Sequence, residues 1–139
     1  MSIVQTQTTS FKAELYQGIH NLTTDTIKIA LYTANANLNA DTTVYSSANE
    51  VSGGSYSAGG SQLTPITVSS SSTDATAYVG FPNVSWTGTI TARCALIYNA
   101  SKGNKSIAVL DFGSDKTQTN FTITMPANTS TPALIRSSY

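Results

Sequence analysis

Residues 89–112 read TITARCALIYNASKGNKSIAVLDF. Thr89–Asn99 alternates, with Ile90, Ala92, Cys94, Leu96 and Tyr98 in one phase and Thr91, Arg93, Ala95 and Ile97 in the other. Period-two alternation is the mark of a β-strand. The tract Ala100–Lys105 is polar and carries a glycine, and Ser106–Phe112 resumes the strand pattern. Two alternating runs around a short polar tract read as an antiparallel hairpin.

Working outward, the same pattern recurs. Thr26–Thr33 places Ile27, Ile29 and Leu31 on one face and Lys28, Ala30 and Tyr32 on the other. Gln62–Ser69 is a weaker strand, because Pro65 removes a ladder donor and points to an edge or a bulge. The run Ser69–Thr73 reads as a connection. Ala75–Phe81 alternates, and Val84–Trp86 is short and stops at a Thr87-Gly88 turn. Thr119–Met125 alternates until Pro126, and Pro132 opens a last strand over Ala133–Ser137. One helix is expected over Ser10–Leu22, with Ser10 as N-cap and Phe11, Leu15, Ile19 and Leu22 as its apolar stripe. Gly18 weakens it by ~1 kcal/mol relative to Ala. Residues 1–10 carry no pattern of their own and read as a flexible arm. The expected fold is all-β: an antiparallel β-sandwich or jelly-roll-like domain of about eight strands spanning residues 1–139, with one short N-terminal helix.

Composition narrows the function classes. Only 10% of the 139 residues are charged, and seven basic residues balance seven acidic ones. Such a surface offers no electrostatic footprint for nucleic acid and no steering toward an anionic membrane. Ser and Thr replace charge: the chain holds 22 Thr, 19 Ser and 10 Asn. Thr fits exposed strand faces, and Ser and Asn fit turns. A polar but neutral surface meets a neighbour without desolvating ions, and near-zero net charge favours association. Neither an N-terminal leader pattern nor a long apolar run is present, so synthesis in a cytoplasm is expected.

Candidate chemistry is sparse. Cys94 is the sole cysteine and lies in a strand phase that predicts burial and inertness. His20 is the sole histidine, placed late in the expected helix, where a cation suits the negative end. Asp111-Phe112-Gly113 matches a kinase tripeptide without the other parts of a kinase, and reads as a strand end and a turn. Asp111 and Asp115 lack the ordered spacing of a calcium loop and read as turn caps and surface pairs with Lys116. Glu14, Asp25, Asp41, Glu50 and Asp74 are scattered, without an evident catalytic pair. Six N-x-[ST] sequons, starting at Asn21, Asn83, Asn99, Asn104, Asn120 and Asn128, are what a Ser/Thr-rich chain produces by chance. Tyr32, Tyr45, Tyr56, Tyr78, Trp86 and Tyr98 could supply a sugar-stacking platform or fill a core. No cofactor or metal is expected. The long segment 34–60 is polar, with Tyr56 between two glycine pairs, and reads as an interaction loop.

Two stretches carry a family resemblance. The first contains IKIALYT (27–33) and EVSGGSYSAGGSQL (50–63); the second contains ARCALIYNASKGNKSIAVLDFGSDK (92–116) and FTITMP (121–126). They resemble small structural proteins of tailed-bacteriophage virions, of the capsid decoration, cement or head-fibre type. Glu50, Val51, Gly53, Tyr56, Ala58, Gly59 and Gly60 match the family's loop pattern. The resemblance implies a non-enzymatic protein on the capsid exterior, a homodimer or homotrimer bridging subunits of the major capsid protein. The arm 1–10 or the loop 34–60 is expected to make the contacts between chains, with Ile3, Val4, Tyr45, Glu50, Val51 and Tyr56 as the expected interface residues. The remaining expectations are a tail, neck or fibre component, or a carbohydrate-binding module for host attachment.

Overall fold

The computed structural model describes residues 2–128 and 133–137. Pro132 lies outside them, as does the end of the Asn128 sequon. Among the described residues the chain forms β1 (Thr6–Gln7), α1 (Thr9–Tyr16), β2 (Ile27–Tyr32), β3 (Ser61–Gln62), β4 (Thr67–Ser71), β5 (Thr76–Gly80), β6 (Val84–Asn99), β7 (Lys105–Ile123) and β8 (Ile135–Ser137). A five-stranded sheet has the order β1-β7-β6-β2-β3, and a three-stranded sheet has the order β4-β5-β8. All strand pairs are antiparallel. Five strands against three make a sandwich rather than a pair of four-stranded jelly-roll sheets.

The hairpin of β6 and β7 is the frame. It is longer than the sequence pattern implies, because Val84–Trp86 and Thr89–Asn99 are one strand, and Ser106–Phe112 and Thr119–Met125 belong largely to another. Thr87-Gly88 is a bulge, not a turn: Asn120 faces both residues. Asp111-Phe112-Gly113 does not end a strand either. Between the pairs Ala92↔Lys116 and Cys94↔Asp111, Arg93 alone stands against Phe112, Gly113, Ser114 and Asp115. The irregularity breaks the period-two alternation. Ile90 and Ala92 therefore share the inter-sheet core with Ala95 and Ile97, while Cys94, Leu96 and Tyr98 belong to a second cluster. The single face expected for Ile90 through Tyr98 is thus split in two.

β2 lies between β6 and the short edge strand β3 and is buried on both sides. Ile27, Ile29 and Leu31 enter the inter-sheet core with Trp86, Phe121, Val79 and Ile135, and Ala30 and Tyr32 enter the second cluster. Each fully buried Ile or Leu contributes about 1.5–3 kcal/mol relative to exposure. Ser69, Ser70 and Ser71 of the expected connection 69–73 instead belong to β4, whose other edge pairs with no described strand.

The helix is shorter than expected. Thr8, not Ser10, is the N-cap, its Oγ1 accepting from the Phe11 N–H at 3.4 Å. Gly18, at φ 71°, ends the helix. Gly18 N–H donates to Leu15 O at 3.2 Å and Ile19 N–H to Glu14 O at 3.1 Å, the paired bonds of a Schellman cap. Only Phe11 of the helix is buried, so Leu15 stays exposed. The segment expected as a free arm is laid against the sheet from Ser2 onward: Ile3 bridges Leu38, and Thr6 and Gln7 pair with Val109 and Ala108.

Candidate functional site

The segment 34–60 does not project. Its first part folds back over the far side of the large sheet, and Val51 and Tyr56 in its last part enter the inter-sheet core. Thr33 N–H donates to Asn49 O at 2.9 Å and Val51 N–H to Leu31 O at 3.0 Å, so Asn49–Val51 runs beside the end of β2. Ala36 and Leu38 are buried over Tyr32, Leu96, Tyr98 and Val109. Further along, Ser55 N–H donates to Thr87 O at 2.7 Å and Ser55 Oγ accepts from Thr87 N–H at 2.9 Å. Gly54 and Gly88 sit back to back here, at φ 51° and 83°.

Glu50 holds this segment together. Tyr45 Oη donates to its Oε1 at 2.7 Å, Gly59 N–H donates to Oε2 at 2.8 Å, and Tyr56 Oη donates to Oε2 as well. Tyr56 Oη also accepts from the Leu31 N–H at 2.9 Å, tying the loop to β2. Tyr98 Oη donates to Gly59 O at 2.6 Å, and Tyr32 Oη to Ser46 O at 2.7 Å. The rings of Tyr45 and Tyr98 stack at 4.7 Å. Burial, aided by the Glu50 charge, raises the phenols of Tyr32, Tyr45 and Tyr56 well above the ordinary tyrosine value and lifts Tyr98 to about 12. Phenols so far above neutrality stay protonated and donate hydrogen bonds; they do not exchange protons at physiological pH. The cluster is a latch.

The expected interface residues therefore separate. Val51 and Tyr56 lie in the inter-sheet core, at 6% and 9% exposure, and cannot form an outward contact surface. Glu50 and Tyr45 are half-buried and committed to the latch. Ile3 is half-buried against the second cluster. Val4 remains outward, at 48% exposure, as does Val44. Val4 N–H donates to Leu38 O at 3.0 Å, and Leu38 and Val44 line one shallow cavity of about 180 Å³. The aromatic platform does not form on the surface: Trp86 packs beside Tyr56, and Tyr32 and Tyr98 are buried. Tyr16, which the sequence did not single out, is 93% exposed.

His20 lies beyond the helix end, and its side chain has no exposed surface. Its Nε2 meets Glu14 Oε1 at 2.8 Å, and its Nδ1 meets the Asn99 amide nitrogen at 2.9 Å. Asn99 Oδ1 accepts from Ser101 N–H, which assigns the amide nitrogen as donor and Nδ1 as acceptor. Nε2 is thus placed to donate to Glu14, and the ring lies past the helix end rather than within its last turn. Asn99 also donates to Asp25, which pairs with Lys102 at 2.8 Å. Both ring nitrogens are engaged, so the network ties the helix end to β6 and offers no free base. Asp111 accepts from Gly113 N–H at 2.8 Å and pairs with Arg93, and the two together, against burial, hold its carboxyl below the usual range. Asp115 is exposed and makes no ion pair among the described residues. Among those residues no three His, Cys, Asp or Glu side chains converge to hold a metal, and no helix is long and apolar enough to cross a membrane. Cys94 is fully buried, and burial pushes its thiol up to about 12.

A groove of about 350 Å³ opens beside β7, floored by Leu110, Phe112, Phe121, Ile123 and Leu134, with Lys116 and Gln118 also lining it. The alternation of Phe121, Ile123 and Met125 signals a core-facing phase, but not that the flank of the sandwich is open there among the described residues. No family model, curated protein or solved structure matches this chain.

Proposed function

We propose that this protein is a bacteriophage capsid decoration protein, which binds the outside of the shell and bridges neighbouring subunits of the major capsid protein. The observation that carries the reading is that the stretches resembling virion structural proteins assemble into one physical unit. β2 pairs with β6 from Ile27↔Asn99 to Tyr32↔Cys94, and the loop residues Glu50, Tyr56 and Gly59 bind β2, β6 and one another. The resemblance thus covers the frame of the fold. The neutral, Ser/Thr-rich surface and the outward Val4 and Val44 supply a contact surface with little desolvation cost. Many weak attachments on a symmetric lattice sum to a large avidity. Self-association as a dimer or trimer belongs to the same proposal.

Quantitative mass spectrometry of purified virions tests it. A simple stoichiometric ratio to the major capsid protein supports the shell assignment. A small fraction of that ratio moves the protein to the tail, neck or a fibre, and absence from virions removes the proposal. The carbohydrate-binding alternative loses support from the inward-facing Trp86, Tyr32, Tyr56 and Tyr98.

A further inference from the structure

We infer that the outer edge of β7, from Lys116 to Ile123, takes an extended segment of a different polypeptide as an added strand. The segment places an apolar side chain in the adjoining groove and a carboxylate on Lys116.

β6 occupies one side of β7 throughout this stretch. On the other side β1 reaches only Ala108 and Val109, and no described strand follows it. Two glutamine side chains stand in for the missing strand. Gln5 Oε1 accepts from Asp111 N–H at 3.0 Å, and Gln118 Oε1 accepts from Thr122 N–H at 3.4 Å. The second bond is long and solvent-exposed, so it exchanges readily for a strand carbonyl. At about 3.3 Å per residue the edge accommodates a strand of ordinary length, about five or six residues.

Face and charge define the occupant. Lys116 stands opposite Ala92, and Gln118 opposite Ile90, both inter-sheet core residues. Residues opposite each other share a face, so Lys116 and Gln118 project on the groove side. Strand addition commonly draws affinity from main-chain bonds and specificity from pockets for alternate side chains. Here the pocket is apolar, and its cation has no ion-pair partner among the described residues. A second copy of β7 brings another Lys116 and no acid on that face. The charge therefore selects a foreign, acid-bearing strand.

The probe is a bead-bound library of acetylated octapeptides, threonine alternating with randomised positions, offered to the labelled full-length protein. The expected hits carry apolar residues at alternate positions with one Asp or Glu, and they protect the amides of residues 116–122 from hydrogen exchange. Lys116→Glu should reverse the charge preference to Lys or Arg at that position. Thr122→Pro, which removes an edge donor, should abolish binding. No enrichment over charge-matched glycine peptides overturns the inference, as does protection at the β4 edge around Val68 instead. A dimer in sedimentation that protects residues 116–122 without peptide and is lost in Thr122→Pro also overturns it, by making a second copy the occupant. None of these outcomes depends on finding the protein in virions.

Discussion

The Glu50 carboxylate accepts the phenolic hydrogen bond of Tyr56, and the same phenolic oxygen accepts the buried Leu31 N–H at 2.9 Å. Tyr56→Phe thus removes a donor and an acceptor together and strands a main-chain donor inside the protein. The expected cost is about 1–3 kcal/mol. Tyr45→Phe, which removes a single bond from a half-buried ring, should cost less. Urea unfolding of both variants, at unchanged m-value, checks the order. The reverse order would mean that Glu50 does not hold the loop to β2.

The loop crosses the β6 bulge where Gly54 faces Gly88. A Cβ on Gly88, at φ 83°, would press into Gly54 Cα. Gly103, at φ 67°, has open space where its Cβ would stand. Gly103→Ala therefore incurs backbone strain alone, about 1–2 kcal/mol. Gly88→Ala adds a backbone collision and should cost distinctly more, or leave no soluble protein. Paired thermal melts decide it; equal costs would mean that the loop does not pack on the bulge.

Cys94 should be silent in the native state. The thiolate is the reactive form, and burial pushes the thiol up to about 12. A thiol-specific chromogenic reagent at mildly alkaline pH should label it only at the rate of unfolding, and at once in denaturant. Rapid labelling of the folded protein would contradict its burial between Tyr32, Leu96 and Tyr98.

Much of the fold was legible because strand alternation is a local signal. The antiparallel β architecture, the β6–β7 hairpin, the burial of Cys94 and the strand at Ile27 all follow from it. The split of β6 was not legible. Ala95 and Ile97 are as apolar as Cys94 and Leu96, so nothing in the pattern marks where the faces exchange at Arg93. Gly88 and Gly113 read equally well as turns or bulges, and long-range pairing decides. Tyr56 reads as exposed from its flanking glycines. It is buried because Glu50, six residues earlier, supplies its partner, and those glycines let the loop lie against β2 and β6. The open flank beside β7 depends on where β1 stops, which no local pattern encodes.

Stability should fall at both ends of the pH scale for separate reasons. Burial pushes the Asp25 carboxyl up, but the Lys102 ammonium, the Asn21 N–H and the Asn99 amide pull harder and set it at about 2. An unfolded aspartate titrates near ~3.9. The unfolded chain therefore takes up the proton first, so this contribution is complete above about 4 and is lost as pH falls toward 2. Asp111, lowered by the Gly113 N–H and by Arg93, acts in the same direction. At the alkaline end the signs reverse. Tyr98 stands at about 12 and Tyr32, Tyr45 and Tyr56 are raised, whereas an unfolded tyrosine ionises near ~10. The unfolded chain loses its protons first, so the contribution is complete below about 10 and is lost as pH rises past it. Melting temperatures measured across the full range should decline on both limbs. Lys102→Met should shallow the acid limb. Tyrosinate absorbance should rise together with unfolding for the latch phenols. Their ionisation in a still-folded protein near pH 10, with no loss of stability, would refute the latch as the source of the alkaline limb.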